Sequence, residues 1–230
     1  MAHAQGLSRD LRAAPVPSPI GTIDPSIPPA LAGLKHDIRN WLTSKIATSP
    51  ADTDPASLEE ALLTEIKKAD LLADPKDHEL HPFGTMLGLG ISDVPAEPRL
   101  LRAVVSYDGL CPPDDSVLYF ERRADDAWHL LLNFDNTDFE NPWGDRALLY
   151  AGISPRDDRG RFFAFIVRTR SYCPESGSVW NSINYHVLRR GLDPESPQVV
   201  LSAEHEYHEE QDFRVLLGRD SVTMDFPGHV

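Results

Sequence analysis

The sequence predicts an α+β chain: an N-terminal extended arm and a two-helix hairpin, packed on a mainly antiparallel β meander or sandwich of about nine strands. Three observations carry this. Six prolines fall between residues 10 and 29. Apolar residues then recur at helical spacing as far as Leu72. From about residue 99 the hydrophobic period changes to two and holds to the C-terminus. The divisions that follow are an arm over 1–29, a hairpin over 30–75, a connector over 76–98 and an antiparallel β domain over 99–230.

The arm comes first. Proline fixes its own φ and restricts the residue before it, so Pro15, Pro17, Pro19, Pro25, Pro28 and Pro29 predict extended chain. Leu31, Leu34, Ile38, Trp41, Leu42 and Ile46 then fall on one stripe of a helix over 30–47, leaving Lys35, Asp37, Arg39 and Lys45 for the other face. Pro50 and Pro55 interrupt it. Ser57 and Glu60 have the form of a capping box opening a second helix over 57–73, with Leu58, Leu62, Ile66, Ala69 and Leu72 as its stripe. Pro75 stops it, and Gly84, Gly88 and Gly90 read as a flexible connector.

Strands are predicted over 99–107, 117–123, 127–134, 146–153, 161–170, 179–190, 198–207, 213–217 and 221–226. Trp128, Leu130, Leu132 and Phe134 share one phase; Val199, Leu201 and Ala203 share another. Phe162 to Val167 is apolar in both phases, which predicts a strand covered on both sides, with the helical hairpin as one cover and Trp41 as its largest side chain. No helical stripe separates the strands, so neighbours in the chain should pair antiparallel. The connections then alternate between an end of tight turns and an end of longer, more polar loops, and a site is expected at the long-loop end.

Composition narrows the function classes. The 230 residues carry a formal charge of −14. Such acidity lacks the electrostatic footprint of a nucleic-acid binder and disfavours acidic lipid surfaces, unless the arginines cluster. Every lysine lies at or before Lys76, and beyond it the basic residues are all arginine. No apolar run approaches the roughly 18 residues that span a bilayer. Ala2-His3-Ala4, followed by Gln5, has the small-x-small form of a signal-peptidase site, though the apolar stretch of a signal is missing before it.

Candidate chemistry is sparse. Asp135, Asp138 and Glu140 stand in one acidic loop, and a divalent cation is the one cofactor they could hold, although their spacing is not that of an EF-hand. His205 and His208 lie among carboxylates but are three apart, a spacing that puts them on opposite faces of a strand. Solvation of an acidic loop, and packing of a histidine at a strand end, are the ordinary explanations. No nucleophile elbow or dinucleotide fingerprint occurs, so no catalytic residue is assigned and the reading leans against an enzyme. Cys111 and Cys173 follow strands that end on the same side of a meander, which predicts a disulfide and, with it, an oxidising compartment.

The function these features suggest is a non-enzymatic β-rich binding or structural module of the cell envelope or periplasm, with a protein or small-molecule partner. Two alternatives stand beside it: a hydrolase or metal-dependent enzyme with its site on the long loops, and a cytoplasmic interaction domain that dimerises through the helical hairpin.

Overall fold

A computed structural model of the chain describes residues 1–14, 24–50, 52–73, 83–95, 97–108, 113–135, 148–170, 180–208 and 214–225. Among these residues three helices precede the strands: α1 (Ala2–Ala13), α2 (Ile27–Thr48) and α3 (Pro55–Lys68). Ten strands follow, each antiparallel to its chain neighbour within its sheet. The first sheet holds β1 (Met86–Asp93), β2 (Leu100–Tyr107), β3 (Asp114–Arg122) and β4 (Trp128–Phe134) in sequence order. The second holds β5 (Leu148–Ile153), β6 (Ala164–Arg170), β7 (Trp180–Arg189) and β8 (Gln198–His208), and a hairpin joins β9 (Arg214–Leu217) to β10 (Val222–Asp225).

These elements stack in four layers. Leu31, Leu34, Ile38, Leu42 and Ile46 of α2 are buried against Leu101, Ala103, Val105, Leu118 and Phe120 on one face of the first sheet. Leu100, Val117, Tyr119 and Leu132 on its other face meet Ala151, Ile153, Ala164 and Ile166 of the second sheet. The outer face of the second sheet packs Phe163, Phe165, Val167 and Ile183 under Val215, Leu217, Val222 and Met224 of the β9–β10 hairpin. Both phases of β6 are therefore buried, as expected, but its covers are the first sheet and the hairpin rather than the helices. Trp41 is only half-buried, and the Lys45 ammonium sits 5.9 Å from its ring.

The helices begin earlier than the spacing implies. Pro28 and Pro29 occupy the first turn of α2, where a missing N–H costs no hydrogen bond and the fixed φ is already helical. In α3 the cap is Asp54 rather than Ser57; its carboxylate accepts from Ser57 N at 3.0 Å, and Pro55 opens the helix. Residues 2–13 are helical where an extended arm was expected. Ala4, Ser8 and Leu11 of α1 are buried, and Gln5 Nε2 donates to Ala69 O at 2.9 Å. Gly84 adopts φ +96°, and a Cβ there would stand 2.7 Å from Ser8 O, so α1 lies directly on it.

Two sheet features escape a period-two reading. Strand β1 falls inside the expected connector, with Gly88 and Gly90 paired to Ser106 and Val104 of β2. A bulge between Tyr119 and Phe120 pairs these residues with Leu132 and Leu130, leaving Leu131 as the extra residue of β4. Trp128 and Leu130 consequently face the helices, whereas Leu132 joins the core between the sheets, although all three share one phase in the sequence.

Candidate functional site

At the end where β3 starts and β4 stops, charges gather inside the molecule. Lys35 on α2 places its Nζ 2.6 Å from Asp135 Oδ1 and 2.8 Å from Asp114 Oδ2, the latter a charge contact without directed hydrogen-bond geometry. Ser116 Oγ donates to the same Asp135 oxygen at 2.8 Å. Arg39, one turn along α2, holds Glu195 of the β7–β8 turn at 2.8 Å and stands 3.8 Å from Asp135. Lys35, expected on the outer face of its helix, is instead 2 % exposed.

Asp115, beside Asp114, binds the two sheets together. Its Oδ2 accepts from Leu148 N at 2.6 Å, its Oδ1 accepts from Ser106 Oγ, and its backbone oxygen accepts from Arg168 Nη2 at 2.5 Å. Burial raises its carboxyl above the ordinary range, partly offset by the Ser106 and Leu148 hydrogen bonds. Burial also acts to raise Asp135, but the Lys35 charge and its hydrogen bond outweigh it and hold that carboxyl low. Tyr107 is pushed well up, first by burial and then by Asp135 and Asp114. The Arg168 guanidinium lies 4.8 Å from the Phe134 ring, and the His186 ring 4.9 Å from the same ring. Burial and Arg168 together lower the His186 pKa.

Asp135, one of the candidate metal ligands, is bound to Lys35 and Ser116. His205 is exposed on β8 opposite Ile183, and the backbone of His208 pairs with Trp180. No group of three His, Cys, Asp or Glu that could hold a metal occurs among the described residues. Asp138, Glu140, Cys111 and Cys173 lie outside the described residues. The apolar stripe of α2, which would have to be exposed for dimerisation through the hairpin, is buried within the chain. Among the described residues no helix is long and apolar enough to cross a membrane.

A cleft lies elsewhere, at the tight turns. It encloses about 660 Å³ between the β5–β6 turn, the end of β7, the start of β8 and the β9–β10 turn. Phe162, Phe163, Val187, Val200 and Leu201 supply apolar wall. Five arginines line it: Arg156, Arg161, Arg189, Arg190 and Arg219. Three have carboxylate partners: Arg156 with Glu97 at 2.8 Å, Arg161 with Asp157 at 2.7 Å and Arg219 with Asp158 at 3.0 Å. Arg156 also stacks 4.9 Å over the Phe162 ring. Arg189 and Arg190 are exposed and make no ion pair or hydrogen bond among the described residues.

No family model, curated protein or solved structure matches the chain. The cleft must therefore be read from its own chemistry. The cleft lies at the tight-turn end rather than the long-loop end, and segments far apart in the sequence build it. A signal was present in the sequence: Arg156, Arg159 and Arg161 share one short turn, and Arg189-Arg190 is a basic pair in an acidic chain.

Proposed function

We propose that the chain is a non-enzymatic β-rich binding module of the cell envelope or periplasm, and that the cleft at its tight-turn end is the binding surface. The observation that carries this reading is the cleft itself: about 660 Å³, walled by phenylalanine and aliphatic side chains and lined by arginines. Volumes of roughly 300–1,000 Å³ with that mixture suit a small molecule. The scaffold favours binding too, because Val187 belongs to β7, whose Ile183 and Leu188 are buried in the core.

The proposed compartment rests on the cysteines. The segments that carry them leave strands joined at one end, where Arg168 near the end of β6 donates to Asp115 O at the start of β3.

The test of the module is a titration of isotopically labelled protein with phenyl phosphate and, separately, benzyl alcohol. Backbone amide shifts should concentrate at Val187, Val200, Leu201 and Val222 for at least one probe. If neither probe moves those amides at millimolar concentration, the cleft is not the binding surface and the reading fails.

A further inference from the structure

We propose that the cleft takes an organic dianion, a phosphate monoester or dicarboxylate head on a flat apolar body; this rests on the cleft being the binding surface. A chain of formal charge −14 repels anions in general, so a place that attracts one must be built locally. Five arginines and three carboxylates, Glu121, Asp157 and Asp220, line the cleft. Glu97 and Asp158 stand behind the wall and take up Arg156 and Arg219. The lining arginines without a carboxylate partner among the described residues are Arg189 and Arg190, adjacent in sequence at the end of β7, and Asp220 is the lining carboxylate without a basic partner among them.

Arg189 and Arg190 both line the cleft, and each planar guanidinium can engage two oxygens of a phosphate or carboxylate at once, so a doubly charged head can be shared between them. The apolar wall sets the rest of the ligand. Val200 and Leu201 are 47 % and 50 % exposed beside the half-buried Phe162. An apolar body laid on them would remove that surface from water, and a bare inorganic anion would not. Arg156, held between Glu97 and the Phe162 ring, keeps the wall in place while being unavailable as the principal anion contact.

Calorimetric titration at low salt and about pH 8, where a phosphate monoester carries close to two charges, tests this. The probes are phenyl phosphate, phenylsuccinate, inorganic phosphate and benzyl alcohol. One of the two aromatic dianions should bind tightest, and which one leads identifies the head group. Inorganic phosphate and benzyl alcohol should each bind at least about tenfold more weakly, because each lacks one half of the contacts. The Arg189→Gln/Arg190→Gln variant should weaken the better dianion by at least about tenfold, while Arg9→Gln, on exposed α1 surface, should not. Both arginines are exposed, so the double variant should melt with the parent, and that melting curve is recorded alongside.

Benzyl alcohol binding as tightly as the dianions would overturn the anion while leaving the cleft as a binding surface. Unchanged dianion affinity in the double variant would do the same. Failure of all four probes would remove both.

Discussion

Lys35 on α2 and Asp114 on β3 meet 2.8 Å apart with 2 % and 1 % of their side chains exposed. An ammonium and a carboxylate so far from water are tolerable only together, because each alone would carry an uncompensated desolvation cost. The pair, with Asp135, joins the helical layer to the first sheet by charge beside a mainly apolar interface. Lys35→Met should therefore cost about 3–5 kcal/mol in urea denaturation, since it strands two buried carboxylates. Adding Asp114→Asn and Asp135→Asn should recover more than half of that loss. An unchanged midpoint for Lys35→Met would contradict the geometry.

Acidification should weaken the fold in two stages. The folded pKa of His186 lies below its ordinary 6.5, so its contribution is complete above pH 6.5 and is lost as pH falls through the lower folded value. The folded pKa of Asp135 lies below 3.8; its contribution is complete above that value and disappears as pH drops through the folded pKa. Asp115, raised by burial, works in the opposite sense: its penalty is present when it is ionised and is relieved on protonation. Denaturation midpoints from pH 8 to 3 should show the first stage missing in His186→Phe and the second missing in Asp135→Asn.

Gly84→Ala should loosen α1. The substitution meets both a left-handed φ of +96° and a backbone oxygen 2.7 Å from the new Cβ. Strain of this kind costs about 1–3 kcal/mol, and the neighbouring helix must shift as well. Gly88→Ala, with open space around its Cβ, is the control. Hydrogen exchange should rise at Ser8 and Leu11 in the first variant and stay unchanged in the second.

Cys111 and Cys173 should be unreactive toward a thiol reagent in denatured, non-reduced protein, and should yield two thiols after reduction. Two thiols before reduction would remove the disulfide and most of the case for an oxidising compartment.

The parts of this fold that were legible in the sequence are those fixed by local spacing. The stripe from Leu31 to Ile46 announces α2 because one helix face buries it, and the two-phase apolar run at Phe163–Val167 announces a strand covered twice. What stayed hidden depended on partners far along the chain. Lys35 looks like a solvent-face residue until Asp114 and Asp135 arrive beneath it. α1 packs through Ala4 and Ser8, which add little to any hydrophobic pattern. Leu131 moves the phase of β4 by one residue, and no local rule marks where a bulge falls. The cleft was hardest of all, because its arginines come from segments that only tertiary packing brings together.

Pairing between chain neighbours also fixes an order of events at the ribosome. β1 to β4 need no residue beyond Phe134 to form their ladders, and the helices that cover one face have already emerged. Their opposite face, with Leu100, Val117, Tyr119 and Leu132, stays wet until β5 and β6 are made. A chain released only as far as Phe134 would thus carry an uncovered apolar sheet face, the kind of surface that invites aggregation before synthesis is complete.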